Sequence, residues 1–279
     1  MPNQTIPHQE YADFCSFLES ACGITLGDNK HYLVVSRLNR LLEEVGIPSI
    51  GELVARLECD VKSGLRERIV DAMTTNETLW FRDQAPFEIL KAHILPELAG
   101  KSARPVRIWS AACSSGQEPY SISIVAQEYL SGKPGSFPTG VQISATDISP
   151  TMLKDAKAGL YDSMSLARGM SDERRKRFFD PKGSLWEVKN EIRKRVTFAE
   201  LNLMKKDYSA LGKFDVIFCR NVLIYFSNDL KRDIIARFAQ VLAPEGYLFL
   251  GASESMSSYS DAFDTVRYQG GIAYRLKKK

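Results

Sequence analysis

Four stretches of the chain carry residue types that could do chemistry. The first, TTNETLWFRD at positions 74–83, sets Asn76, Thr78 and Arg82 two to four positions apart around Trp80 and Phe81. A loop or helical turn could aim these three polar groups at one pocket while both rings pack inward. The second, SAACSSGQEPY at 110–120, is a run of small residues that ends near Glu118. Small residues let a backbone approach a ligand closely. The third, ATDIS, puts Asp147 at the end of an apolar run. A carboxylate there could accept both hydrogen bonds from a ribose diol. The fourth, FCRNVLIYF at 218–226, interrupts an apolar segment with Arg220 and Asn221 and adds Tyr225 shortly after. A buried side-chain amide has to be hydrogen-bonded, so Asn221 is either tied to backbone or presented to a ligand.

The second stretch narrows the ligand. It offers SSGQEP where a dinucleotide-binding turn needs G-x-G-x-x-G. A pyrophosphate also wants an open helix N-terminus, and Glu118 near the helix start would repel it. A ligand with hydroxyls and a positive group but no phosphate fits better, and S-adenosylmethionine is such a ligand. Ser149 is better placed than Asp147 to cap the helix beginning at Pro150, which leaves Asp147 for the ribose. The segment Ala199–Leu203, with Asn202 beside Leu203, resembles the strand-end element that contacts an adenine in such folds.

These residues need a scaffold, and the hydrophobic period supplies one in two parts. Before position 84 the pattern is helical. Tyr11, Phe14, Cys15, Leu18 and Cys22 recur at helical spacing before Gly23. Val34, Leu38, Leu41, Leu42 and Val45 share a face before Gly46. SIGELVARLE and LRERIVDAMTT predict two more helices. After Arg104, short apolar runs (PVRIWSAAC, VQISATDIS, FDVIFC, GYLFLG) alternate with helical patterns, and GIAYRLKKK closes the chain as a short strand. Such alternation predicts an α/β fold with a parallel sheet covered on both faces. The expected division is a helical domain over 1–84 and an α/β domain over 85–279. A small antiparallel β insertion is expected over about 175–199, around the turn Asp180–Gly183. The basic runs at 174–177 and 193–195 read as solvated faces.

Composition excludes several classes. No apolar run approaches the roughly 18 residues needed to span a bilayer. The N-terminus has neither a basic flank nor an apolar stretch, so it does not read as a signal peptide. The 5 cysteines lack a CxxC pair, which fits free thiols in a reducing cytoplasm. The 3 histidines are far apart, which argues against a metal site. A net charge of +3 is too small to argue for nucleic acid.

TTNETLWFRD, IWSAACSSGQEPYS, ATDIS, LNL, FDVIFCRNVLIYF and VLAPEGYLFLGASES, in this order, resemble the CheR-type chemotaxis receptor methyltransferases over nearly the whole chain. The resemblance implies a class I S-adenosylmethionine-dependent methyltransferase fold with an N-terminal all-α domain and an inserted β-subdomain. It implies methyl transfer to glutamate side chains of bacterial chemoreceptors, giving glutamate methyl esters and S-adenosylhomocysteine. Carried over by position, Asn76, Thr78, Arg82, Glu118, Asp147, Asn202, Leu203, Arg220 and Asn221 would contact the cofactor. Arg82 and Tyr225 would stand nearest the transferred methyl. The substrate would be a glutamate-rich receptor helix in the cytoplasm, met by Lys30, Arg37 and Arg40 on one stripe of the second helix. Family members that grip a receptor C-terminal peptide have a longer, glycine-rich turn in the β insertion. The compact Asp180–Gly183 turn therefore predicts an enzyme that works without that tether. A monomer is expected, because no long apolar surface stripe is left over.

The rival chemistries lack their signatures. Amino-methylation of a base usually uses an Asn/Asp-Pro-Pro-aromatic element where this chain has Arg220-Asn221-Val222-Leu223. Methylation at cytosine C5 needs a cysteine nucleophile, usually after proline, but Cys113 and Cys219 follow Ala112 and Phe218. A non-catalytic cofactor-binding module would have no need of Arg82 and Tyr225.

Overall fold

The computed structural model describes residues 6–59, 64–99, 104–256 and 258–278. Two compact units emerge. One comprises Met1–Thr75 with Tyr225–Lys231, the other Asn76–Ile224 with Arg232–Lys279. The division cuts TTNETLWFRD after its second threonine, nine positions before the boundary expected at 84. The polar ladder Asn76, Thr78 and Arg82 thus belongs to the larger unit.

The first unit is helical: His8–Cys22, His31–Val45, Ile50–Cys59 and Leu65–Met73. Its core is the set of apolar positions at helical spacing, including Phe14, Leu18, Val34, Leu38, Leu53, Ile69 and Met73. Gly23 and Gly46 end the first two helices in the left-handed conformation that glycine adopts without a Cβ penalty. Gly51 meets a closer constraint. A Cβ there would lie 2.6 Å from the Glu10 carboxyl carbon, and Glu10 Oε2 accepts from the Gly51 amide at 2.8 Å. Arg37 donates to the carbonyls of Met73 (2.5 Å) and Thr74 (3.1 Å) and to Thr75 Oγ1 (2.9 Å). A guanidinium there satisfies carbonyls that the helix end leaves without partners. Tyr225 belongs to this unit, and its carbonyl accepts from both the amide and the hydroxyl of Thr25.

Among the described residues the second unit has ten strands: β1 (Val106–Ala111), β2 (Val141–Asp147), β3 (Leu160–Tyr161), β4 (Phe179–Lys182), β5 (Leu185–Val188), β6 (Val196–Glu200), β7 (Phe214–Cys219), β8 (Leu242–Leu250), β9 (Phe263–Tyr268) and β10 (Gly271–Leu276). Seven form one sheet in the order β6-β2-β1-β7-β8-β10-β9. The first five of that order run parallel, and β10 is antiparallel to both β8 and β9. The central strands are buried almost throughout, because helices cover both faces of a parallel sheet. Strand order reverses between β1 and β7, and ligands of open α/β sheets bind beyond the strand ends at such a point.

The small antiparallel sheet has the order β3-β5-β4. Its strands β4 and β5 lie inside the segment expected at 175–199, and β3 joins them from upstream. Val196–Glu200 pairs in parallel with β2 as the edge of the main sheet. The antiparallel hairpin expected here forms, but Asp180, Pro181 and Lys182 pair within β4 and the turn itself is Gly183–Ser184, with Lys182 opposite Leu185. Strand β9 was not anticipated. Its exposed, charged positions give it no apolar run.

Candidate active site

The site builds outward from a buried charge cluster where the ends of β1 and β7 meet the helix Gln117–Gly132. Gly116 sits at that helix's N-cap with φ 96°. A Cβ there would fall 2.9 Å from the Tyr161 hydroxyl and 3.0 Å from the Ala156 Cβ, so this position requires glycine. The turn brings Glu118 beneath β1. Its Oε1 accepts from Ser110 Oγ at 2.7 Å and its Oε2 from Arg220 at 3.1 Å. Burial pushes the Glu118 carboxyl above its ordinary range, and the Arg220 charge opposes that shift.

Arg220 itself is locked inside the protein, its side chain only 2% exposed. Besides Glu118 it holds Asp83 Oδ2 at 2.5 Å and the Arg82 carbonyl at 2.8 Å. The structure therefore places it as the tie between the end of β7 and the Arg82–Asp83 corner. Phe81, Asp83 and Gln84 in that corner all have positive φ.

Asp147, the last residue of β2, anchors two turns. Its Oδ2 accepts from the Ser114 amide at 2.7 Å, and its Oδ1 from the Ser149 amide at 2.9 Å. Ser149 caps the helix Pro150–Ala158 by accepting from the Met152 amide. The Asp147 carbonyl accepts from the Leu201 amide at 2.9 Å, which brings Asn202 and Leu203 alongside. Asn202 Oδ1 closes its own turn by accepting from the Met204 amide, and Leu203 is buried.

The segment carrying Asn76, Thr78 and Arg82 is fastened at several points. Ser114 Oγ donates to the Asn76 carbonyl at 2.8 Å, linking it to the β1 turn. The Phe81 amide donates to Ser121 Oγ at 3.1 Å. Trp80 packs edge-on against Tyr161 and Phe179, rings of the small sheet. Arg174 lies 4.0 Å from the Phe81 ring centre while it forks onto Glu128. A Cβ at Gly169 would sit 2.0 Å from the Trp80 carbonyl oxygen, so the backbones touch here. Asn76, Thr78 and Arg82 remain half-exposed, and Arg82 donates to the Glu77 carbonyl at 3.2 Å.

Asn221 occupies the turn after β7 with φ 60°, and its buried Oδ1 has no hydrogen-bond partner in the protein. Asn76, Thr78, Arg82, Glu118, Asp147, Asn202, Leu203, Arg220 and Asn221 thus lie in one unit, on segments bonded to one another or leaving neighbouring strand ends. Tyr225 falls in the other unit. Two residues of the site escaped the sequence reading. Ser110 is an ordinary buried serine in its pattern. Glu254, in the GASES segment, accepts from the Asn221 amide at 2.8 Å, a contact that residue type does not signal.

The family described as CheR methyltransferase, SAM binding domain, matches residues 76–272. The accompanying all-alpha domain matches residues 9–74. The chain belongs to the CheR methyltransferase family. Curated CheR relatives align along almost their full lengths. A chemotaxis protein methyltransferase of Pseudomonas aeruginosa is 56% identical, covering 95% of this chain and 96% of its own. One from Pseudomonas putida is 54% identical, covering 96% and 98%. One from Vibrio cholerae is 52% identical, covering 98% of each.

S-adenosylmethionine is the cofactor of the CheR SAM-binding domain, and the donor set here suits it. Asp147 offers a carboxylate for hydroxyls, and the buried Glu118, held by Ser110 and Arg220, adds a second carboxylate to the site. Burial first, and then the neighbouring carboxylates, push Cys113 and Cys219 well above the ordinary thiol range. Among the described residues no helix is long and apolar enough to cross a membrane.

Proposed function

We propose that this CheR methyltransferase esterifies glutamate side chains of bacterial chemoreceptors in the cytoplasm. The products are glutamate 5-O-methyl esters and S-adenosylhomocysteine. The observation that carries this reading is the 52–56% identity to chemotaxis protein methyltransferases over nearly the whole chain.

The residues suit the reaction. Glutamate is already an anion at neutral pH, with a reference pKa of about 4.3, so no strong base is needed. None of the three histidines lies in the site segments. The bound cofactor supplies an electrophilic methyl on a sulfonium. The protein's task is position and a tuned electrostatic setting. Asp147 takes the ribose hydroxyls, and Asn202 and Leu203 flank the adenine. Glu118 faces the positive end of the cofactor. Asn76, Thr78 and Asn221 complete the contacts. Arg82 orients cofactor and substrate, and Tyr225 stands by the reacting carboxylate. Arg220, assigned to the cofactor by resemblance, acts through Glu118, Asp83 and the Arg82 carbonyl.

Receptor contact through Lys30, Arg37 and Arg40 is part of the same reading. Lys30 and Arg40 are exposed, whereas Arg37 also holds the helix end at Met73. The compact Gly183–Ser184 turn favours methylation without a receptor tether. The protein acts as a monomer. Incubation with methyl-labelled S-adenosylmethionine and receptor cytoplasmic fragments, followed by base, tests the chemistry. A carboxyl ester releases volatile labelled methanol, and label that stays on the protein contradicts the proposal.

A further inference from the structure

The turn that follows β7 runs from Arg220 into a short 3-10 helix, Leu223–Tyr225. Residues Arg220 to Ile224 leave the sheet, and Asn221 adopts φ 60°, where a side chain is strained. Backbone amides in such a turn still need acceptors. A single carboxylate provides them. Glu254 Oε2 accepts from the amides of Gly251 (2.6 Å) and Asn221 (2.8 Å). Glu254 Oε1 accepts from the amides of Val222 (3.1 Å) and Ile224 (3.3 Å). Converging backbone N–H groups of this kind form an anion-binding nest, and here the anion is the protein's own.

The surrounding geometry is built around that carboxylate. Cys219 at the end of β7 pairs with Leu250 at the end of β8, so the two turns leave the sheet side by side. Gly251 lets them touch. A Cβ on Gly251 would lie 2.7 Å from Asn221 Nδ2, 2.7 Å from Glu254 Oε2 and 2.8 Å from the Asn221 amide nitrogen. The buried Asn221 Oδ1 has no protein partner, so what fixes the orientation of Asn221 is its backbone.

We propose that Glu254 is a positioning residue of the methyltransferase: its carboxylate holds the Arg220–Ile224 turn, and so aims the Asn221 side chain, in the geometry that cofactor binding requires. This rests on the reading that Asn221 contacts the cofactor. Glu254 acts through the turn and does not itself touch the substrate. Glutamine at this position is isosteric, yet it replaces one acceptor oxygen with an NH2 group that faces two amide donors. The turn then relaxes towards ordinary φ values, and Asn221 loses its aim.

The test is a double-mutant cycle on the full chain, read by calorimetric titration with S-adenosylhomocysteine. Glu254→Gln and Asn221→Ala should each weaken binding at least about tenfold, and the double variant should bind no worse than the weaker single. A purely structural glutamate would lower the melting temperature without this non-additivity. If Glu254→Gln fails to fold, Glu254→Asp replaces it in the cycle. Aspartate keeps the charge but is shorter, so the expected loss is smaller, about threefold. Binding by the Glu254 variant within about twofold of wild type, or a double variant that loses the product of both singles, overturns the proposal. If Glu254→Gln weakens binding while Asn221→Ala does not, the assignment of Asn221 to the cofactor fails, and the proposed route through it fails with it. If only Asn221→Ala weakens binding, that assignment stands and the role of Glu254 falls alone.

Discussion

The two units follow different rules. In the helical unit every described residue with positive φ is a glycine: Gly23, Gly46 and Gly64. Its described ion pairs are exposed, such as Arg40–Glu44 and Arg68–Glu44. In the α/β unit, seven described non-glycine residues take positive φ: Phe81, Asp83, Gln84, Ala112, Ser114 and Asn221 in or beside the site segments, and Glu245 outside them. The buried charges Glu118, Asp147, Asp215 and Arg220 are there too. Strain and buried charge each cost stability and persist only where the surroundings over-determine them. The contrast separates chain selected to fold from chain selected to hold a ligand in place.

The largest expected effect lies in that buried cluster. Arg220→Ala leaves Glu118 buried without its cation and frees the Arg82–Asp83 corner. Denaturant titration should show a loss of about 3–5 kcal/mol, the usual cost of breaking a buried pair from one side. A loss no larger than that of an exposed pair would mean that solvent or another group compensates Glu118. Next comes Arg82→Ala. The Arg82 side chain is half-exposed and donates to the Glu77 carbonyl, and the backbone carbonyl that Arg220 holds is kept in the alanine variant, so the fold should survive. Methyl transfer should fall about 10- to 100-fold, the value of one charged hydrogen bond. Activity within about twofold of wild type would remove Arg82 from the mechanism.

A smaller effect should appear with pH. The folded-state value of Glu118 is raised, so the stability it contributes is full below the ordinary carboxylate value and is lost as pH rises through the raised one. A positive cofactor favours the ionised form. Affinity should therefore be full above the raised value and fall as pH drops through it, by at most about tenfold per pH unit. Cofactor titrations at several pH values check this, and Glu118→Gln should flatten the acid limb. An unchanged limb in that variant assigns the titration elsewhere. The smallest effect belongs to the helical unit. Arg40→Ala removes only an exposed i,i+4 pair with Glu44, and unfolding should not change measurably. Receptor methylation, read in parallel at low and high salt, should lose part of its salt dependence if Arg40 meets the receptor.

The same contrast explains what the sequence made legible. Helical spacing placed Phe14, Leu18, Val34 and Leu38 in the core, because local periodicity decides burial in a helix bundle. Apolar runs located β1, β2, β7 and β8 for the same reason. The site residues stood out where polar side chains interrupted those runs. Their partnerships did not. That Arg220 turns inward to Glu118 and Asp83 depends on residues 102 and 137 positions away in the chain, which no local pattern encodes. Strand β9 and the edge strand β6 were hard to read because an edge strand exposes one or both faces and loses its apolar run. Glu254 was invisible because its partners are backbone amides, which leave no trace in residue type.

The central claim is that the methyl acceptor is a glutamate carboxyl on a receptor. Peptide mapping by mass spectrometry of a receptor cytoplasmic fragment, after incubation with the enzyme and S-adenosylmethionine, addresses it directly. The account predicts a mass gain of one methylene on a glutamate side chain, removed by mild alkali. The same gain on a lysine, an arginine or a nucleic acid base, stable to alkali, would contradict it.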